Sequence, residues 1–261
     1  MAMVGVAYRP EFAAWIDSRP PMLDCVEITA EQFFLPSEIA RVPRLADGYP
    51  MMVHGVGLSL GTPGPLNNDT LDAFADVVRI ADPLWVSEHI AFSRTAEVNL
   101  GHFNPVRPNA ETIDTIASHV QEIKARCGKP VILENITTAL RIPGTLTETE
   151  FLNRLCETAD CGLLLDVTNL LVNGRNHGFD PRAWLGDIDP EHIVQFHVVG
   201  YTHRGERYYD SHENAIQDDL WSLIRDSLAY GSPKAVIIER DRNFPPIDEI
   251  EHDLGKLKAG C

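Results

Sequence analysis

A short apolar run that ends in a carboxylate or an imidazole recurs along this chain, and it restricts the fold more than any other feature. In Pro130 to Ile136, PVILENI, the branched residues Val131, Ile132 and Leu133 suit a strand covered on both faces, and Glu134 falls at its C-terminal tip. The same arrangement occurs in MVGVAYRP, DCVEITAE, PMMVHGVG, PLWVSEHI, GLLLDVTN, IVQFHVVG and AVIIERDR, which makes eight runs. Most are separated by a segment of helical pattern, the alternation of a parallel sheet. Seven of the eight end in a residue able to bind a metal or move a proton: Glu27, His54, His89, Glu134, Asp166, His197 and Glu239. The first ends in Arg9. Eight strands with polar tips on one end predict an α/β chain folded as one (β/α)8 TIM barrel over residues 1–261, working at the C-terminal ends of its strands.

A chain of 261 residues has the usual size of such a barrel and can bury a large core. Its net charge of −16 argues against nucleic acid or an anionic membrane surface as a partner. A metal cation is compatible with that charge, because it neutralises clustered acids. Lys124, Lys129, Lys234, Lys256 and Lys258 are the only lysines, and none stands at a strand tip, which disfavours Schiff-base chemistry. Cys25, Cys127, Cys156, Cys161 and Cys261 form no CxxC and are odd in number, so they read as reduced thiols in a cytoplasmic protein. Cys25 and Cys161 are expected to fill core, and the tail residue Cys261 is read as incidental. The sequence shows no signal peptide pattern and no apolar run long enough to span a membrane.

Between the runs, the pattern predicts helices in PEFAAWID, in LDAFADVVRIA capped by Asn68 or Asp69, and in ETIDTIASHVQEIKARCG, TETEFLNRLCETA, DDLWSLIRDSLAYG and PIDEIEHDLGKLK. Long loops are expected over Ala91 to Pro108, from Asp166 through Asn169, Asn173 and His177, and in VVGYTHRGERYYDSHENAIQ after His197. A turn is expected over DPRAWLGDIDPEH. His119, His192 and His252 read as packed or solvated residues with no chemistry.

A nucleophilic serine or cysteine needs a base and an orienting acid around it. No cysteine sits at a tip, and Ser87 has no distinguishing context. Glycoside hydrolysis could use Glu134 and Glu239 as its two carboxylates but leaves the histidines unexplained. Metal binding accounts for both residue types, since imidazole with carboxylate suits iron, manganese or zinc, and a bridging carboxylate lets several ions share a pocket. The candidate ligands are His54, His89, Glu134, Asp166, His197, Asp210, His212 and Glu239. Asp210 and His212 share a face if their segment is extended. Eight candidates exceed what one octahedral ion can use, so two or three ions are expected.

The runs HGVGLSLG at His54, SEHIAF at Ser87 to Phe92, ENI at Glu134, LLLDVTN at Leu163 to Asn169, FHVVG at Phe196, DSH at Asp210 to His212 and IIERD at Ile237 to Asp241 resemble the signature of the multinuclear non-heme iron-dependent oxidative enzymes. The resemblance extends from YRPEF at Tyr8 to the last strand. It implies a barrel with two or three iron ions, of mixed Fe(II)/Fe(III) state, that uses O2 to remodel cysteines of a ribosomally synthesised precursor peptide. It also implies a small leader-binding partner protein. Carried onto this chain, it places His54, His89 and Glu134 around one iron. Glu134 bridges to a second iron held by Asp166, His197 and Glu239, and Asp210 with His212 serves a third. Asn135, Asn169, Glu27 and Asp241 fall beside these ligands or toward the substrate. Thr168 departs from the DVNN common in the family, and Asn169 stands where related metal barrels place a histidine.

The rival enzyme reading is a xylose-isomerase-like divalent-metal barrel acting as a sugar isomerase or a phosphodiesterase/endonuclease. An endonuclease needs a basic groove and the isomerase chemistry a lysine near the metal, and neither is placed here. A metal-binding scaffold subunit is the rival without activity, and it does not call for a complete ligand set.

Overall fold

The apolar runs become strands too short to form a broad open sheet, and their two-sided burial is met by closure. The computed structural model describes residues 2–95 and 97–260, so Cys261 lies outside the described residues. In chain order the strands are β1 (Met3–Ala7), β2 (Cys25–Thr29), β3 (Met51–His54), β4 (Val86–His89), β5 (Ala91–Arg94), β6 (Asn99–Pro105), β7 (Val131–Glu134), β8 (Gly162–Asp166), β9 (Ile193–Val198), β10 (Gly200–Arg204), β11 (Arg207–Asn214) and β12 (Ala235–Ile238). Strands β1, β2, β3, β4, β7, β8, β9 and β12 pair in that order, and β12 returns to β1 to close the barrel. Every barrel pairing is parallel. This is a (β/α)8 barrel.

Side chains alternate between the two faces of each strand, which separates two cores. One face packs under the helices in the main core, where β7 contributes Val131 and Leu133. The other face fills the barrel with Cys25, Met52, Trp85, Ile132, Leu164 and Ile237. Two residues further along the same strands or at their ends come Glu27, His54, Glu134, Asp166 and Glu239. The polar tips therefore form the upper continuation of the barrel's own filling. Gly5 marks how tightly this interior is packed, because a Cβ there would lie 2.3 Å from the Cys25 carbonyl oxygen.

The helices bury one stripe each. Ala110–Cys127 packs Ile113, Ile116, Val120 and Ile123 inward, is capped by Asn109, whose side chain accepts from the Thr112 N–H, and ends at Gly128 in the left-handed region. For Asn68–Ala81 the cap is Asn67, not Asn68 or Asp69. Asn67 keeps the extended backbone and its Oδ1 accepts from Thr70 N at 2.9 Å.

Four segments expected as irregular are ordered. The stretch after Asp166 is a helix, Val167–His177, because the Asp166 side chain caps it by accepting from Asn169 N at 2.6 Å. Asn169 and Asn173, which suggest a loop, are buried and bonded to backbone: Asn173 donates to Ile136 O at 2.8 Å and accepts from Thr138 N at 3.0 Å. The two long segments over the barrel mouth each fold back as an antiparallel hairpin, β5 with β6 and β10 with β11. The segment before β9 contains the short helix Pro181–Gly186, started by the Asp180 cap. Among the described residues no helix is long and apolar enough to cross a membrane.

Candidate metal centre

The site begins with the tips of β3, β4 and β7. His54 turns Nδ1 to Ser87 Oγ at 2.7 Å, which leaves Nε2 facing Glu134 Oε2 at 3.3 Å. His89 has Nδ1 near Gly55 O and Glu88 Oε1, at 3.3 and 3.2 Å, and its Nε2 also lies 3.3 Å from Glu134 Oε2. Two imidazole nitrogens thus converge on one carboxylate oxygen. The Phe103 ring, from β6, stacks on His89 with centroids 3.9 Å apart.

The other oxygen of Glu134 serves a second cluster. His197 Nδ1 lies 3.4 Å from Glu134 Oε1 and 3.1 Å from Glu239 Oε2. Asp166 completes a buried group in which one ligand atom from each of Glu134, Asp166, His197 and Glu239 falls within 4.8 Å of all the others. A third group joins His212, Glu239 and Asp241, with His212 Nδ1 3.2 Å from Asp241 Oδ2 and 3.7 Å from Glu239 Oε2. Asp210 meets His212 on the opposite nitrogen, its Oδ2 lying 2.9 Å from Nε2.

Residues around the clusters hold these positions. Asn135 clasps the Asp166 backbone, accepting from N at 2.8 Å and donating to O at 3.1 Å. Asn169 donates to Asn135 O at 3.0 Å. Glu27 lies below His197, with Oε1 2.6 Å from Nε2. Arg9 at the end of β1 donates to Glu239 Oε1 at 3.3 Å and, through Nε, to Asp241 Oδ1 at 2.7 Å. It fixes one oxygen of each acid and leaves the other toward the site.

The charges are strongly perturbed. Burial, and then the like charge of Asp210 and Glu134, push the Asp166 carboxyl well above its ordinary range. Burial, with His89 and His197, drives His54 well below its usual value. Burial also lowers His89, but Glu134 and Glu88 outweigh it and hold the ring at about 9. His197 and His212 are likewise raised, burial being overcome by Glu27 and Glu134 for the first and by Asp210 and Glu239 for the second. Burial would raise Glu239, yet His197 and His212 bring it well below its usual value. Glu134 Oε2, Asp166 Oδ2, Asn169 Oδ1, Asp210 Oδ1, His197 Nδ1 and His212 Nδ1 are buried and make no hydrogen bond. Buried polar atoms without partners cost free energy. An oxygen and imidazole donor set that converges while unbonded fits cations of the iron, manganese or zinc type.

A cavity of ≈ 770 Å³ opens above these atoms. Its wall includes Thr202, Arg204, Tyr209 and Ser211 from the β10–β11 hairpin and Phe103 from β6. His102 is exposed on β6, and His203 stacks on Tyr208 at 4.3 Å, so neither joins the clusters. His119 is buried between the Leu60 and Gly64 carbonyls, at 2.8 and 2.7 Å.

Sequence reasoning gave no role to Arg9, Ser87, Gln195 or Phe103. Alternation along β9 places Gln195 on the face of His197, and that signal was present in IVQFHVVG. Nothing in the sequence pairs Arg9 with Asp241, which stand 232 residues apart.

Known proteins share this architecture. A putative xylose isomerase from Rhodospirillum rubrum superposes with a TM-score of 0.65 at 14% identity, covering 99% of each chain. Endonuclease IV from Thermus thermophilus does so with a TM-score of 0.61 at 17% identity, covering 99% of this chain and 98% of that one. At these identities the likeness establishes the fold alone. A UPF0276 protein of Bordetella parapertussis is 32% identical over 99% of this chain and 92% of its own length. One from Chromobacterium violaceum is 32% identical over 98% and 93%. The model of the RiPP precursor modification enzymes MbnB/TglH/ChrH matches residues 3–260. The chain therefore belongs to that family of enzymes, the multinuclear non-heme iron-dependent oxidative enzymes that its motifs resemble.

Proposed function

We propose that this chain is an iron- and O2-dependent oxidoreductase that modifies cysteine residues of a ribosomally synthesised precursor peptide in the cytoplasm, with a small partner protein presenting the leader. The observation that carries the reading is Glu134, whose two oxygens face two different histidine clusters. That is what a carboxylate bridging two ions has to do. Membership of a family of peptide-modifying enzymes supports the substrate class.

His54, His89 and Glu134 would hold one ion, Glu134, Asp166, His197 and Glu239 a second, and His212 with Glu239 and Asp241 a third, Asp210 meeting the other nitrogen of His212. When bound, the iron supplies affinity for a cysteine thiolate and redox chemistry in which the peptide is the reductant and dioxygen the oxidant. The chain's own residues orient and enclose. Arg9 aims Glu239 and Asp241, and Ser87 fixes the face that His54 presents. Phe103 covers one face of His89 and narrows the approach of water. Tyr209 and Arg204 line the hairpin wall of the cavity and would meet the peptide.

The test is metal content per chain after anaerobic purification, with Mössbauer spectroscopy on iron-57 protein. Two or more irons per chain, lost in Glu134→Ala, are expected. Zinc or manganese with negligible iron, after growth in iron-rich medium, would refute the oxidative reading and favour the isomerase or hydrolase chemistry of similarly folded barrels.

A further inference from the structure

We infer that Trp85, Gln195 and Glu27 are positioning residues that fix the tautomer of His197 through an unbroken chain of hydrogen bonds, so that Nδ1 is the nitrogen offered to an ion. The inference rests on the metal-centre reading above. An indole N–H can only donate. Trp85 Nε1 lies 2.7 Å from Gln195 Oε1, which fixes that amide oxygen as the acceptor and the amide nitrogen as the donor. The amide nitrogen lies 2.6 Å from Glu27 Oε2, so this oxygen accepts. The remaining oxygen, Oε1, is 2.6 Å from His197 Nε2 and has only lone pairs to offer. The ring proton therefore sits on Nε2, and a neutral His197 carries its lone pair on Nδ1. Nδ1 is the atom that faces Glu134 and Glu239 without a hydrogen bond.

The alternatives each put two donors or two acceptors against each other at the shortest contacts of the chain, 2.7 Å at Trp85 or 2.6 Å at His197. Turning the Gln195 amide over would set its NH2 against the indole N–H. Moving the proton to His197 Nδ1 would leave an Nε2 lone pair against the carboxylate. Gln195 Nε2 and His197 Nε2 are also 3.1 Å apart, as two donors that share one carboxylate. Water cannot repair a mismatch, since Gln195 and His197 are 0% exposed, Glu27 1% and Trp85 6%. A carboxylate behind a ligand imidazole also raises its basicity.

The direction of the chain yields a double-variant test. In Glu27→Gln alone, the new amide has to turn its NH2 toward either Gln195 or His197, both donors. In Gln195→Glu alone, two carboxylates face each other. In Glu27→Gln/Gln195→Glu, the acid at position 195 accepts from Trp85 and from the amide at position 27, whose oxygen accepts from His197, and every bond is restored. Each protein is loaded anaerobically with Fe(II), and the affinity of each ion is measured by chelator competition. Nitrogen-15 NMR of ring-labelled histidine in the zinc-loaded protein reads the His197 proton. Each single variant is expected to weaken one ion by roughly 10- to 100-fold, the usual range for residues that support a ligand. The double variant is expected to recover most of that loss, with the proton on Nε2. A double variant no better than the worse single variant, or Glu27→Gln binding every ion as the wild type does, overturns the inference and leaves the functional reading standing. A wild type that holds neither iron nor zinc overturns both.

Discussion

Replacing Asp166 with asparagine should have opposite effects on the metal-free and metal-loaded protein. Asp166 is 0% exposed, its Oδ2 has no partner, and burial, then Asp210, then Glu134 hold the carboxyl well above its ordinary range. A buried polar group left unsatisfied costs about 1–3 kcal/mol. The amide keeps the oxygen that accepts from Asn169 N at 2.6 Å and turns an N–H toward the neighbouring acids. Metal-free Asp166→Asn should therefore be more stable at pH 7.5 by about 1–3 kcal/mol, or roughly 2–10 °C in Tm for a chain of this size. With iron at about 1,000 times its dissociation constant, the wild type gains about 4.1 kcal/mol, which the variant loses with the ligand, and the order reverses. The pH dependence carries the same sign. A carboxyl with a raised folded pKa contributes stability below its unfolded value, and that contribution is lost as pH rises through the folded value. The variant's advantage in chelator should then shrink as pH falls from 8 toward 5. Differential scanning calorimetry with chelator and with anaerobic Fe(II) measures both terms. A metal-free variant less stable than the wild type at pH 7.5, or an advantage that grows on acidification, would refute the reasoning.

Glu134→Gln should remove at least one iron per chain by elemental analysis while far-ultraviolet circular dichroism stays unchanged, because the amide keeps one acceptor oxygen where two clusters each face one. Gly5→Ala places a methyl 2.3 Å from a backbone oxygen of the neighbouring strand, so urea denaturation should show a loss of about 1–3 kcal/mol. Phe103→Ala should keep its iron and bind a small anion such as azide several-fold faster in stopped flow, since the ring it loses lies flat on His89 at 3.9 Å; an unchanged rate would show that Phe103 does not limit access.

The eight barrel strands and the helices between them were legible because each strand is a two-sided apolar run and each helix carries a 3.6-residue stripe, and both patterns are local. The tips of the strands were legible for the same reason, since a polar residue ending an apolar run has few places to point other than the mouth of a barrel. The helix after Asp166 was hidden because Asn169 and Asn173 satisfy carbonyls of the Glu134 loop, and such a partner lies more than 30 residues away in sequence. The hairpins were hidden because exposed antiparallel ribbons over a mouth carry too few apolar residues to alternate visibly. Arg9 ended the first run as an apparent exception. In the fold it is the cation between Glu239 and Asp241, a role set by barrel closure between β1 and β12.

The anions of this centre are shared between clusters. Glu134 and Glu239 each face more than one imidazole: His54, His89 and His197 for the first, His197 and His212 for the second. A single cation cannot satisfy all these directions, because the converging atoms fall into three groups. The fold alone permits isomerases and endonucleases as readily as oxidases, so it carries no argument for the chemistry. The donor set narrows the site to adjacent cations of the iron, manganese or zinc type, and the family match carries the argument for peptide modification. Imidazole nitrogens on both sides of a carboxylate that reaches two of the groups suit adjacent ions that share an oxygen ligand, and the polar cleft above them leaves room for a peptide to reach both.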